Sequence, residues 1–545
     1  MVAATPMPAT ARHAMVVTAQ HLATRVGVSV LEQGGNAVDA AVAVGYALAV
    51  VHPCCGNLGG GGFMTIHRAD GKNVFLNFRE KAPLAATADM YLDPNGEVNH
   101  AKSLWSWQAV GVPGTVMGLN AALARYGTMS RAELMAPAIR LAKDGYVLAP
   151  GDAEIFSADA KRLTRDPATT RIFMPDGHVP RAGERFRQPE LAHTLELIAR
   201  AGDKAFYDGA IAKEIVAASK AGGGILTRKD FRDYSVEWEQ PIECSYRGYE
   251  IVSAPPPSSG GVTLCEILNV LDGWPDFAGY AWHSAPAVHD MVEAMRFSYA
   301  DRNAFLGDPN FVRMPIEKLL SPAQAAWIRS QIPIARAVLS SSLHATLAPP
   351  EGTHTTQYSI VDAHGNAVSV TYTLNSWFGT GLVAPGTGIL LNNEMNDFAA
   401  KPGVPNQYGL VQGKADAIAP GKRPLSSMTP TIVLKGGKVF MVTGSPGGST
   451  IITTVLQTIL NVVDRGMNVQ QAVNAPRIHQ QWLPDVVYFE SGALTPEVRA
   501  ALEKMGYRFT LWGSHGAAEA IVVLPDGTLT GANDRRRPAG LAAGY

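Results

Sequence analysis

The chain alternates between two kinds of hydrophobic pattern. Its longest apolar stretch, Ala37 to Val51, is interrupted only by Asp39. At 15 residues it falls short of the roughly 20 needed to cross a bilayer, so it predicts a buried helix. Residues 115 to 240 carry helical periodicity, clearest in LMAPAIRLAKDGY and LAHTLELIARAG, and few strand signals. APPPSSGG at 254–261 punctuates the chain and leads into an apolar helix, TLCEILNVLDGW. Residues 335–356 are small, polar and proline-containing, which predicts an exposed connection and a boundary. Downstream the pattern becomes α/β: TQYSIVD, AVSVTYTL and KVFMVT read as strands, and TIITTVLQTILNVVD as a helix.

The first two strands flank Ala363-His364-Gly365-Asn366, and Gly365 supplies the positive φ of a hairpin loop. On the second strand Ser369, Thr371, Thr373 and Asn375 alternate with Val368, Val370, Tyr372 and Leu374, giving one polar and one apolar face. A polar face opposite a good apolar one faces either solvent or a site. With an odd loop, such as 364–366, opposed residues sum to an even number, so Thr355, Gln357 and Ser359 share the face of Thr373 and Asn375. Thr356 then points the other way, and a two-residue loop would reverse the two. Thr353 stays on the same side as Thr355, so parity leaves two candidate threonines.

Four consecutive glycines, Gly59–Gly62, form a loop that invites a phosphate-binding reading. No G-x-G-x-x-G opens a helix there and no Gly-Lys-Ser/Thr follows, so close backbone packing is the preferred explanation.

Composition narrows the partners. In 545 residues, 46% are hydrophobic and 17% charged, with a formal net charge of -1, which describes a globular chain with several lobes or one composite core. Nothing favours nucleic acid, and Arg535–Arg537 read as a solvated tail or a local salt bridge. The four cysteines do not form a disulfide framework and read as small buried residues; Cys54 and Cys55, being adjacent, cannot bridge each other without strain. No C-x-x-C or H-E-x-x-H spacing argues for a metal. No membrane span is expected, and the first twenty residues contain no continuous apolar secretory segment.

Read together, TTQYSIVD, GNAVSVTYTLNSWFGTG, LLNNEMNDF, KRPLSSMTPTIV and VTGSPGGS resemble the catalytic subunit of the γ-glutamyltranspeptidases, a family of N-terminal nucleophile hydrolases. GGNAVDAAVAVGYALAVVHP, GNLGGGGF and NFREKAP resemble its large subunit, so the likeness runs from about residue 14 to the C-terminus. The resemblance implies an α+β fold, a four-layer αββα sandwich built from two chains of one self-cleaved precursor. It implies cleavage between His354 and Thr355, giving a large subunit of 1–354 and a small catalytic subunit of 355–545. Thr355 is then the nucleophile.

That assignment suits the chemistry. A threonine hydroxyl needs a base, and the α-amine freed at Thr355, with a pKa of about 7.7 to 8.0, can serve. By the resemblance, Thr373 orients the Thr355 hydroxyl. Arg79, Ser426 and Ser427 hold the substrate α-carboxylate, while Asn375, Glu394 and Asp397 hold the α-ammonium. Gly447 and Gly448, at the mouth of a helix, offer N–H groups to the oxyanion. Ser445 lacks the first glycine of G-x-S-x-G. Residues 401–414 resemble a lid loop, with Tyr408 as its gate. Two departures from the family pattern are Glu394, where some members have glutamine, and Asn396, where Asp-Asp is usual.

The implied substrates are glutathione and other γ-glutamyl compounds, with water, amino acids or peptides as acceptors and no cofactor. The implied partner is the chain's own cleaved subunit, and the implied location is periplasmic or secreted. The alternatives are a cephalosporin or glutaryl acylase of the same family, for which retention of Asp397 is unfavourable, and an uncleaved, inactive binding homologue.

Overall fold

A computed structural model describes residues 7–343 and 355–545; Thr353 and His354 lie outside the described residues. Among these residues two seven-stranded antiparallel sheets stack face to face. In the first sheet the strand order is 541–544, 15–18, 356–361, 367–373, 61–67, 73–78, 237–239. In the second it is 9–11, 529–533, 519–523, 438–443, 431–435, 249–253, 242–246. Helices His21–Glu32, Ala37–Val51 and Thr115–Tyr126 cover the first sheet, and Gly260–Asp272, Ala285–Phe305 and Thr450–Val463 cover the second. This is the four-layer αββα sandwich.

The helix Ala37–Val51 explains its own sequence. Asn36 caps it, its side chain accepting from the N–H groups of Val38 and Asp39, while the Asp39 carboxylate returns a bond to the Asn36 N–H. All fifteen residues are buried, because the sheet lies on one side and further helices lie on the others. A helix apolar all round is stable only in such a sleeve.

The hairpin has the expected parity. Thr356 pairs with Tyr372 and Val361 with Ala367, across a five-residue loop in which Gly365 has φ +88°. Tyr358, Ile360, Val368 and Val370 face the helices, while Ser359 and Ser369 face the second sheet and donate to the carbonyls of Glu519 and Thr443. Most of the polar face therefore belongs neither to solvent nor to a site. It carries side-chain hydrogen bonds between the two sheets, and only its end opens into a cavity.

Gly59–Gly62 is only partly a loop, because Gly61 and Gly62 begin the strand that pairs with Thr373 and Tyr372. A Cβ on Gly60 would lie 1.9 Å from the Thr373 carbonyl oxygen, and one on Gly62 2.4 Å from the Tyr372 Cβ. The glycines are there for close approach to the strand that ends at the site.

Two of the cysteine readings need correction. Cys244 and Cys265 form a disulfide, their Cα atoms 5.9 Å apart. The partners lie on strand Ile242–Tyr246 and on the helix packed against it, a neighbourhood invisible in the linear spacing. Cys54 and Cys55 are buried thiols, as expected. Arg536 forms the local salt bridges, with Glu490 and Asp534.

Candidate active site

Thr355 immediately precedes strand Thr356–Val361, and Thr373 ends the strand opposite. Their hydroxyls lie 3.3 Å apart, and both residues are almost fully buried. Thr373 Oγ1 also accepts the N–H of Asn375 at 2.8 Å, which fixes its rotamer. Asn375 has φ +74°, a turn conformation that asparagine tolerates better than most residues. Its side-chain amide donates to the carbonyl of Asn393 at 2.9 Å.

One cavity gathers Thr355, Thr373, Asn375, Arg79, Glu394, Asp397, Tyr408, Ser426, Ser427 and Gly448. Of the residues given a catalytic or substrate-binding role from the sequence, only Gly447 is not in its lining; it adjoins Gly448 in the turn between strand Lys438–Thr443 and helix Thr450–Val463. Gly447 and Gly448 have φ +147° and +55°, and their carbonyls accept from the N–H groups of Thr450 and Ile451. Among the described residues their own N–H groups have no acceptor.

Arg79 follows strand Asn73–Phe78 and is fully buried, not the surface ion-pair partner that an isolated arginine usually is. It forms ion pairs with Glu394 and, at 2.5 Å, with Asp397, while Glu80 lies 3.7 Å away. Nε donates to the carbonyl of Pro424 at 3.2 Å. Burial lowers the arginine's pKa, but Glu394, Asp397 and Glu80 outweigh it, and the net shift is upward. Burial raises Glu394 well above the usual carboxylate range against the pull of Arg79, and raises Glu80 to about 7. Burial thus favours the protonated forms of Glu394 and Glu80 against the pull of the single guanidinium.

The turn Glu394–Asp397 is held from behind. Asn392 donates to the carbonyls of Gly59 and Gly111, and its side-chain oxygen accepts the N–H of Glu394 at 3.0 Å. Asn396 points away from the cavity, donating to Ser103 Oγ at 2.9 Å and accepting the N–H of Gln407. The departure at position 396 therefore falls outside the cavity. Tyr408 is buried, its hydroxyl 3.0 Å from the Asn375 carbonyl and 2.5 Å from its side-chain oxygen.

Sequence reading missed Arg302 and the apolar wall of Leu410, Leu425, Met428 and Ile451. Arg302 lies in the last turn of helix Ala285–Phe305, on one stripe with the fully buried Met295 and Tyr299. A charged residue at i+7 on an apolar stripe was the available signal. Away from the cavity, His52, Cys54 and Cys55 bring their ligating atoms within 4.8 Å of one another inside the core. No spacing rule flags this trio.

The γ-glutamyltranspeptidase family model matches residues 23–544. The glutathione hydrolase proenzyme of Pseudomonas sp. (strain A14) is 53% identical, covering 100% of this chain and 96% of the relative. The crystal structure of cephalosporin acylase from Bacillus halodurans superposes with a TM-score of 0.85 at 29% identity, covering 99% of this chain and 97% of that one. The structure of Helicobacter pylori γ-glutamyltranspeptidase gives a TM-score of 0.59 at 44% identity, covering 62% of this chain and 96% of that one. Matched nearly end to end in sequence, and carrying a threonine pair beside a buried arginine–carboxylate cluster, the chain belongs to the γ-glutamyltranspeptidase family.

Proposed function

We propose that the protein is a self-processing γ-glutamyl hydrolase and transferase acting on glutathione and other γ-glutamyl compounds, with Thr355 as nucleophile. The observation that carries this reading is the position of Thr355, beside Thr373 in the same cavity that holds Arg79 with Glu394 and Asp397. Cleavage of the His354–Thr355 bond would give chains of 1–354 and 355–545, and turns the Thr355 nitrogen from an amide into an amine that can accept a proton. Strands from both sides of that bond lie side by side in the first sheet, which supports a heterodimer that stays assembled.

In the reaction the Thr355 hydroxyl passes its proton to the α-amine as the oxygen attacks the γ-carbonyl. The N–H groups of Gly447 and Gly448 stabilise the oxyanion. The proton then moves to the departing amine, cysteinylglycine in the case of glutathione, and a γ-glutamyl ester remains on Thr355. Water releases glutamate from the ester, while an amino acid or peptide amine takes the acyl group; either route regenerates the hydroxyl.

The Arg79 cluster is suited to a zwitterion. An α-carboxylate takes over the guanidinium, and an α-ammonium takes over Glu394 and Asp397 beside Asn375, so each half of an existing ion pair receives a new partner of the right sign. Ser426 and Ser427 add hydroxyl donors to the carboxylate. The segment 401–414, with Tyr408 packed on Gly448, would act as the lid.

The Cys244–Cys265 disulfide supports a periplasmic or secreted location. Among the described residues no helix is long and apolar enough to cross a membrane.

The test is denaturing electrophoresis with N-terminal sequencing, together with release of nitroaniline from γ-glutamyl and glutaryl anilides. We expect two chains, the smaller beginning Thr-Thr-Gln-Tyr, and preference for the γ-glutamyl compound. A single band near 57.9 kDa without release points to a binding homologue. Preference for the glutaryl anilide points to an acylase.

A further inference from the structure

The cavity is lined by two guanidinium groups, and their surroundings differ in kind. Arg79 is matched by carboxylates. Arg302, 1% exposed, meets only neutral acceptors. Its Nε donates to Ser259 Oγ at 3.1 Å, Nη1 to Asn303 Oδ1 at 2.8 Å and to Gln412 Oε1 at 2.7 Å, and Nη2 to Ser427 Oγ at 3.2 Å.

Among the described residues no carboxylate lies within 4.0 Å of Arg302. The acidic groups nearest in electrostatic influence, Asp416 and Asp397, are engaged elsewhere. Asp416 accepts from the Leu425 N–H and from Gln412 Nε2, and Asp397 from Arg79. A buried cation without a counter-ion is costly, and the cost falls when an anion enters beside it.

The serine geometry says where that anion goes. Ser427 Oγ accepts from Arg302, and Ser426 Oγ accepts the N–H of Met428 at 3.0 Å. With protein donors on both oxygens, each hydroxyl hydrogen is left to donate to an acceptor in the cavity.

We propose that Arg302 is a positioning residue of the substrate-carboxylate subsite: it turns the Ser427 hydroxyl into a donor and supplies a second, otherwise unmatched positive charge. This rests on the γ-glutamyl reading above. It makes carboxylate recognition a two-arginine arrangement, in which Arg79 must be released from Glu394 and Asp397 while Arg302 is already poised. Gln412 links the two sides, accepting from Arg302 and donating to the Asp397 carbonyl at 2.6 Å.

The test compares γ-glutamyl-p-nitroanilide with 4-aminobutanoyl-p-nitroanilide, which keeps the amine and lacks the α-carboxylate, on the processed protein and its Arg302→Gln and Arg302→Lys variants. For Arg302→Gln we expect KM for the γ-glutamyl compound to rise roughly 10- to 100-fold with kcat within about threefold, and kcat/KM for the 4-aminobutanoyl compound to change less than about threefold. Arg302→Lys should restore part of the loss. Equal losses on both substrates, or a fall confined to kcat, would overturn the proposal. Should Arg302→Gln not fold, the same substrate comparison on Arg302→Lys decides: selective loss supports the role and equal loss refutes it. Wild-type protein without γ-glutamyl release overturns both readings, whereas normal wild-type turnover with an unaltered Arg302→Gln variant overturns this one alone.

Discussion

The turn that presents Gly448 is tied to Tyr408 so closely that a single methyl group tests both. In Gly448→Ala the new Cβ would sit 2.5 and 2.6 Å from Cδ1 and Cε1 of the Tyr408 ring. Ordinary contact needs about 3.5 Å, so ring or turn must move by about 1 Å. At φ +55° the alanine also carries a left-handed backbone cost of about 1–2 kcal/mol. A displaced ring loses the Tyr408 hydroxyl bond to Asn375, worth about 1 kcal/mol. If the turn moves instead, the N–H groups proposed for the oxyanion leave their place, at a cost of roughly 100- to 1000-fold in kcat. Gly436→Ala separates these contributions: it has φ +57°, and nothing lies within 4 Å of its added Cβ. It shares the backbone cost and none of the collision. Urea midpoints and steady-state kinetics on a γ-glutamyl anilide should show Gly436→Ala slightly destabilised with normal kcat, and Gly448→Ala further destabilised and slower, by at least about 100-fold where the turn is what moves. If Gly448→Ala turns over like Gly436→Ala, neither the packing of Tyr408 on this turn nor the turn's N–H groups matter to the reaction, and the argument fails.

Thr373→Val keeps the shape of the strand end and removes the hydroxyl 3.3 Å from Thr355, so kcat should fall roughly 10- to 100-fold with little change in KM; an unchanged kcat would assign Thr373 to the strand alone. Glu80 is fully buried 3.7 Å from Arg79, and burial raises it to about 7 in the folded protein, against about 4.3 unfolded. The native state therefore holds this proton more tightly, and stability should fall as pH rises through that window and level off above it. Glu80→Gln should reduce that slope in urea unfolding measured between pH 4.5 and 7.5, and an unaltered slope would place the titration elsewhere. Breaking the Cys244–Cys265 bridge, which spans 21 positions, by replacing both residues with serine should cost about 3 kcal/mol of stability while leaving anilide turnover intact. Equal urea midpoints with and without the bridge would contradict that.

How much of this was legible in the sequence depended on the range of the interaction. The Ala37–Val51 helix and the 356–373 hairpin follow from local pattern, and parity alone put Thr355 on the face of Thr373. The destination of that polar face was not local. Ser359 and Ser369 read as solvent or site residues because their acceptors, the carbonyls of Glu519 and Thr443, lie on another sheet. Arg79, Glu394 and Asp397 were reached by family resemblance, since no spacing rule joins residues more than 300 positions apart. Arg302 escaped both routes: it belongs to no motif, and its place on the stripe of Met295 and Tyr299 is a faint signal on a helix that also carries Asp290, Glu293, Arg296 and Asp301. Cys244 and Cys265 escaped for the same reason, their meeting being decided by how a strand and a helix dock.

The order of the first sheet bears on how this protein could be made in pieces. Strand 356–361 is flanked by 15–18 and 367–373, and the latter in turn by 61–67, so two strands from beyond residue 355 lie between two from before it in the middle of one ladder. A polypeptide ending near 354 would expose bare strand edges at 15–18 and 61–67, open to adhesion with other chains. Two separately translated genes would thus have to knit their products together during folding, whereas a single chain severed afterwards arrives already interlaced.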